Sequence, residues 1–183
     1  MAQPEAGAQP PQEKPQDNQP AHQLIINAQY LKDLSFESPR APQTLMTQRE
    51  QPDVKLNVDV KARSLGPEVY EVVLTLGAEA RHGEDPVFLI ELAYGAVITL
   101  RNAAPELVPL LVFIEAPRLI FPFARAIIAS ATRDGGFPPL LVNPIDFAEL
   151  LRREHERTLQ EQRAGGTLPA AVAAPAAAPA LKA

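Results

Sequence analysis

Four segments of the chain alternate apolar with polar side chains at period two, and this alternation constrains the fold more than any other feature of the sequence. The segments cover residues 24–37, 54–60, 69–80 and 87–100, and the turn-forming runs SLGPE and RHGEDP separate the last three. Successive side chains of a strand point to opposite faces, so this period predicts four strands that each bury one face. Short turns between strands favour antiparallel pairing.

Acidic side chains fall on the predicted outward faces of the first and fourth strands. In the first strand, the core face carries an apolar row that only Lys32 interrupts, formed by Leu24, Ile26, Ala28, Tyr30, Leu34 and Phe36. Asp33 and Glu37 fall on its opposite face. In the fourth strand, Leu89 and Glu91 lie opposite an uninterrupted apolar row. Because charged outer faces of antiparallel sheets are common, the alternation alone favours a solvated surface over a docking site for a basic partner.

The pattern changes from alternation to helix in the second half of the chain. Residues 105–136 predict a very apolar helical region, which Pro117 and Pro122 break or restart and which Gly135 and Gly136 end. The region is apolar on nearly every side, which is too much for a lone helix that covers one sheet. We therefore expect a second burying surface from another subunit, and so an oligomer.

A second helix is predicted over residues 146–163, with the sequence DFAELLRREHERTLQEQR. Asp146 can cap its first turn, and Glu149 would complete a pair that resembles a capping box. Strands followed by helices predict an α+β fold, in which a four-stranded antiparallel sheet packs with two helices.

Composition narrows the functional classes. The chain of 183 residues has a formal net charge of −5, which argues against a nucleic-acid partner because phosphate binding needs clustered cations. It has no cysteine, and its three histidines lie in a tail, a turn and a charged helix, so we expect no metal and no cofactor. No catalytic motif such as a P-loop or G-x-S-x-G occurs, so we do not expect an enzyme.

The location and domain organisation follow from the apolar runs and the termini. No apolar run reaches the roughly 20 residues that cross a bilayer, and the N-terminus lacks a secretory pattern, so we expect a cytoplasmic protein without membrane insertion. Residues 1–22 hold five of the 20 prolines and predict a disordered segment. Residues 163–183, rich in alanine and proline, predict a flexible tail, which leaves residues 23–162 as the folded domain.

Five blocks of the sequence together resemble the SecB family of protein-export chaperones. The blocks are YLKDLSFESPRAP, QPDVKLNVDV, VYEVVLTL, FLIELAYGAVITL and LIFPFARAIIASATRDGGFPPLLVNPIDFAELL. No single block is a catalytic motif, and the specificity of the resemblance comes from all five occurring in order. The resemblance covers about residues 24–155, which leaves both termini outside it.

The resemblance implies an assembly and a function. The assembly is a homotetramer, built as a dimer of dimers with the first long helix packed between the dimers. The function is that of a cytosolic chaperone, which binds unfolded precursor proteins, keeps them translocation-competent and delivers them to the export motor SecA. A SecB-like chaperone dedicated to one partner, such as a toxin–antitoxin system, is the alternative. An α+β enzyme that shares only the strand pattern is a third interpretation.

The resemblance also assigns two sets of site residues. The positions that match the acidic SecA-binding surface of the family are Asp33, Glu37, Leu89 and Glu91. The positions that match its groove for unfolded clients are Val54, Leu56, Val58, Leu119, Phe121 and Phe123. Since large apolar residues are mostly buried, a plain core role is the competing interpretation of the second set.

Overall fold

The structure is a computed structural model that describes residues 21–47 and 51–163. Its strands are β1 (Gln23–Glu37), β2 (Asp53–Gly66), β3 (Val69–His82) and β4 (Asp85–Arg101). Its helical elements are α1 (Gln43–Thr47), α2 (Val108–Leu110), a π-helical turn (Leu111–Glu115), α3 (Ala116–Asp134) and α4 (Phe147–Arg163). The two predicted tails, 1–22 and 163–183, lie almost wholly outside the described residues.

The four strands form one antiparallel sheet in the order β1-β4-β3-β2. Tight turns join β2 to β3 and β3 to β4, which confirms the predicted antiparallel sheet and the α+β class. β1 and β2 are the two edges of the sheet, so the segment that joins them, including α1, connects opposite sides of the domain. The alternation did not predict this connection or the short helix within it.

The hydrophobic core lies between one face of the sheet and the helical elements. Alternate residues of β3 and β4 supply its floor, and they are Val72, Leu74, Leu76, Ala78, Ala80, Phe88, Ile90, Leu92, Tyr94, Ala96, Ile98 and Leu100. The side chains of Ile120, Ala124 and Ile128, spaced along one side of α3, are fully buried against this face. We call the opposite side of the sheet the outer face. It faces away from the helices, so it is available for other contacts.

The helical region is continuous, and the prediction that two prolines break it is wrong. Helical backbone runs from Val108 to Asp134 and passes through Pro117 and Pro122. The π-helical turn lies directly before Pro117, and the Ala116 N–H donates to the Leu111 carbonyl, five residues back. Because proline supplies no donor and crowds the preceding turn, this wider turn lets the chain pass Pro117 without a break, while Pro122 lies within regular α3.

The predicted helix ends agree with the structure in part. Gly135 is the C-cap of α3, and Gly136 follows with a φ of +88°, a conformation that favours glycine. Asp146 caps α4, since its Oδ1 accepts from the amides of Ala148 at 3.0 Å and Glu149 at 3.1 Å. The Glu149 side chain pairs with arginines of the next turn rather than with the cap, so the capping box is not closed.

Strand β1 contains two irregularities that the alternation did not predict. Its pairing with β4 shifts at Asn27 and again at Lys32. Each shift is a β-bulge, which inserts one unpaired residue and exchanges the faces of the residues that follow. Between the bulges, Ala28 and Tyr30 therefore lie on the outer face, opposite Val97 and Gly95, and their assignment to the core face was wrong.

Candidate functional site

The acidic residues of β1 and β4 meet on the outer face of the sheet. Glu37 pairs directly with Leu89, and Ser35 pairs with Glu91, so Asp33 lies diagonally across from Glu91. Residues directly opposite in such a pair have Cβ atoms about 5 Å apart, and diagonal neighbours are about 7–8 Å apart. We call the four residues Asp33, Glu37, Leu89 and Glu91 the acidic strip. Glu37 and Glu91 therefore flank Leu89, and Asp33 extends the surface beyond Glu91.

The carboxylates of the acidic strip are exposed and uncompensated. Asp33, Glu37 and Glu91 are all exposed to solvent, and none of them forms an ion pair with another residue of the described ranges. Two other carboxylates of the outer face are paired, since Asp59 lies 3.5 Å from Lys61 and Glu79 lies 2.5 Å from Arg81. Uncompensated carboxylates produce a local negative potential that attracts a cationic partner.

A buried carboxylate next to the acidic strip was missed by sequence reasoning. Glu71 of β3 lies on the outer face, yet only 5% of it is exposed. The Lys32 ammonium donates to its Oε1 at 2.9 Å, the Tyr30 hydroxyl donates to the same oxygen, and the Arg63 Nε donates to its Oε2. We call these four residues the Glu71 cluster. The one sequence signal for it was Lys32, which interrupts the apolar row of β1.

The bulges of β1 and a glycine of β4 make the Glu71 cluster possible. β4 lies between β1 and β3, so Tyr30 must cross β4 to reach Glu71. It does so over Gly95, where an added Cβ would lie 2.5 Å from the Tyr30 Cζ. The absence of a side chain at this position therefore provides the path of the ring.

The donors around Glu71 keep its carboxylate ionised. The hydrogen bond from Tyr30, and then that from Lys32, lower the pKa of Glu71 from 4.5 to about 2, although burial acts in the opposite direction. Burial and the nearby Glu71 carboxylate raise the pKa of Tyr30 above its usual value of 10. The cluster is thus a buried anion held by two cations and a neutral phenol at neutral pH.

The six predicted groove residues separate into an exposed and a buried group. Val54 and Leu56 on β2 are each 40% exposed, while Leu119 and Phe123 on α3 are 47% and 51% exposed. Leu119 and Phe123 are four residues apart and share one side of α3. These four side chains leave apolar surface uncovered in the single chain.

The other two groove residues belong largely to the core. Val58 packs against the core cluster, and Phe121 is buried with its ring edge toward Phe147, at a centroid distance of 6.1 Å. Phe121 also lines an open cavity of about 430 Å³, whose rim includes Arg118 and Arg125. The sequence pattern could not separate these two residues from the exposed four.

Two further observations concern metals and membranes. Residues 21–47 and 51–163 contain no group of three histidine, aspartate or glutamate side chains arranged to hold a metal ion. Among the same residues, no helix has the length and apolar character needed to span a bilayer.

The chain combines an antiparallel sheet with helices on one face and an acidic strip on the other. The family model described as preprotein translocase subunit SecB matches residues 16–158. The chain therefore belongs to the SecB family of protein-export chaperones, which is a chaperone family and not a class of enzymes.

Several curated relatives share this family. The protein-export protein SecB of Rhodospirillum centenum is 51% identical over 132 residues, which cover 72% of this chain and 79% of the relative. The protein-export protein SecB of Nitrobacter hamburgensis is 44% identical over 149 residues, which cover 81% and 94% respectively. This similarity shows that the chain has the chaperone role of protein export.

A solved structure supports the fold. The SecB-like chaperone of Mycobacterium tuberculosis, determined with a peptide from the HigA1 antitoxin, superimposes with a TM-score of 0.57. The two chains are 13% identical, and the superposition covers 67% of this chain and 90% of the other. At this identity the likeness is evidence for the fold alone.

Proposed function

We propose that this protein holds unfolded precursor proteins in the cytosol on its exposed apolar side chains and delivers them to the export motor SecA through the acidic strip. The observation that carries the delivery step is the alignment of Asp33, Glu91 and Glu37 along one stretch of the outer face, with Leu89 next to the last two. A basic segment of SecA would neutralise these carboxylates and cover the leucine. Charge complementarity of this kind mainly speeds association and selects the partner.

The client side of the proposal rests on exposed apolar surface. Val54 and Leu56 on an edge strand, and Leu119 and Phe123 on α3, could each bury apolar area against an unfolded chain. Such burial yields about 25 cal/mol per Å² before the costs of ordering are subtracted. It requires no nucleotide and little sequence specificity, so we expect holding that is independent of ATP.

We propose that the working form is a homotetramer, built as a dimer of dimers. The single chain has an edge strand, β1, whose outer hydrogen-bonding groups have no neighbouring strand in the sheet and are available for a second copy. Light scattering of the purified protein at micromolar concentration should give about 79 kDa, four times the chain mass of 19.8 kDa. A monodisperse species of one chain mass would contradict the tetramer.

Charge reversal in the acidic strip tests the delivery step. The double variant Asp33→Lys and Glu37→Lys should bind the basic tail of SecA roughly tenfold more weakly, because attraction is replaced by repulsion. Wild-type binding should also weaken as salt rises, since exposed charges are screened. Titration of a SecA tail peptide by calorimetry measures both effects.

The matched control reverses two carboxylates away from the outer face. Glu106 precedes the long helical region and Asp134 ends α3, and both are exposed. The variant Glu106→Lys and Asp134→Lys has the same change of net charge and should retain tail binding. An equal loss of tail binding in both variants would show that the net charge of the protein, and not the acidic strip, controls this binding. Unchanged binding in the first variant would favour a chaperone dedicated to another partner.

A further inference from the structure

The bulge at Lys32 places a cation next to the carboxylate of Asp33 on the outer face. In a regular strand, neighbouring residues point to opposite faces, so a lysine before Asp33 would point toward the helices. The bulge instead leaves Lys32 and Asp33 on the same face, with Cα atoms about 3.8 Å apart. A lysine ammonium with a flexible stem is therefore within reach of a carboxylate of the acidic strip.

Glu71 binds the Lys32 ammonium on the side that faces away from the acidic strip. Lys32 donates to Glu71 Oε1 at 2.9 Å, toward β3 and away from the carboxylates on β1 and the adjoining end of β4. Asp33 has no ion pair among the described residues, although a cation is its neighbour in sequence. The side chain of Lys32 is 43% exposed, whereas that of Glu71 is 6% exposed.

We propose that Glu71 is a positioning residue that holds the Lys32 ammonium away from Asp33 and thereby keeps the acidic strip open to a cationic partner. The inference deepens the proposed delivery function and rests on it for its biological meaning. When Glu71 is absent, Lys32 is free to pair with Asp33 and competes with the incoming cation. Tyr30 and Arg63 hold Glu71 in place, so they act on the strip only through this carboxylate.

The central test is the variant Glu71→Gln, with hexalysine as the probe and the methyl resonances of Leu89 as the reporter. Leu89 lies within the acidic strip, so its methyl groups report on local binding and not on contacts elsewhere. At low ionic strength we expect Glu71→Gln to bind hexalysine about two- to fivefold more weakly than the wild type, which is the range of an exposed ion pair. Adding Lys32→Gln to this variant should restore the affinity, because the competing cation is then removed.

A control of equal charge separates positioning from net charge. Arg101 is exposed at the far end of β4, ten residues beyond Glu91, and it has no ion pair with another described residue. The double variant Glu71→Gln and Arg101→Gln has the same net charge as Glu71→Gln and Lys32→Gln. Only the change at Lys32 should restore binding. Equal restoration by both changes would overturn the proposal in favour of a long-range charge effect.

A crystal structure of Glu71→Gln without any partner tests the position of the Lys32 ammonium independently of binding. We expect the Lys32 ammonium within about 4 Å of a carboxylate of the acidic strip. An ammonium that stays near residue 71, together with unchanged hexalysine affinity, would overturn the proposal. If Glu71→Gln does not fold, Glu71→Asp replaces it, because the shorter side chain keeps the charge but withdraws it from Lys32.

The choice of probe keeps this inference separate from the proposed function. Hexalysine reports only whether the acidic strip accepts a cation, whereas the SecA tail peptide reports on delivery. A wild-type protein that binds hexalysine with the predicted Lys32 dependence, yet does not bind the SecA tail, would refute delivery to SecA and support the positioning role. A wild-type protein whose Leu89 methyl groups do not respond to hexalysine would overturn the positioning role.

Discussion

Glu37 of β1 lies directly opposite Leu89 of β4, at the last paired position of the two strands. The two residues are 52 positions apart in the chain, and only the β1–β4 pairing brings them together. An apolar side chain beside a carboxylate is suited to a partner that carries both a cation and an apolar stem, as lysine and arginine do.

Leu89 should contribute to binding of the SecA tail without contributing to its salt dependence. We expect Leu89→Ala to weaken tail binding by about threefold to thirtyfold, because part of a leucine side chain would no longer be buried. The slope of affinity against salt should stay that of the wild type. Calorimetric titration at several salt concentrations measures both quantities.

The control for Leu89 is Ile25→Ala, an apolar truncation on the same outer face at the far end of β1. It should leave the tail affinity unchanged. A similar loss in both variants would indicate that the truncations act through the stability of the sheet.

Gly95 should be required for the Glu71 cluster. In Gly95→Ala the new Cβ would lie 2.5 Å from the Tyr30 Cζ, so the ring must move and its hydrogen bond to Glu71 is strained. We expect a loss of about 1–3 kcal/mol in the free energy of unfolding, measured by urea denaturation. Gly77→Ala on β3 is the matched control, since Gly77 also lies on the outer face. A Cβ added at Gly77 would have its nearest contact at an ordinary 3.8 Å, with the Asn57 Cβ. An equal loss at both glycines would contradict this role of the Tyr30 ring.

Glu71 should make the free energy of unfolding depend on pH in the acidic range. The fold holds the pKa of Glu71 at about 2, below its ordinary 4.5, so its stabilising contribution is complete above pH 4.5. That contribution should be lost as the pH falls from 4.5 to about 2, because the carboxylate then takes up a proton in the unfolded chain first. The difference in unfolding free energy between wild type and Glu71→Gln should therefore shrink over this window. A difference that is constant with pH would show that Glu71 is not held as an anion.

The exposed side of α3 should bind clients. The double variant Leu119→Ser and Phe123→Ser should slow the aggregation of a denatured precursor less effectively than the wild type, because two exposed apolar contacts are removed. Its mass by light scattering should remain that of the wild type. A fall in mass together with the loss of holding would assign this side of α3 to the contact between subunits instead.

A variant at the far end of β2 from Val54 and Leu56 provides the comparison. Leu65, near the end of β2, is also an exposed large apolar residue. The variant Leu65→Ser removes apolar surface away from α3 and should leave holding intact. Reduced holding in this variant as well would favour general surface hydrophobicity over a defined groove.

The alternation in the sequence determined the strands, the sheet class and the outward direction of the acidic residues. Period two is a local property, because it depends only on where each side chain points from its own strand. The faces of Asp33 and Glu37 were therefore predicted correctly from their neighbours Leu34 and Phe36. The four-stranded antiparallel sheet followed from the short turns between the later strands.

The tertiary structure alone decided which strands are neighbours and where the alternation of β1 is interrupted. The β1–β4 pairing joins segments far apart in sequence, and no local pattern specifies such a partner. Two bulges reverse and then restore the faces of β1, so Tyr30 points outward although the residues around both ends of the strand agree with period two. Glu71, an unremarkable strand residue in the sequence, is a buried anion because those bulges turn Tyr30, which crosses Gly95, and Lys32 toward it.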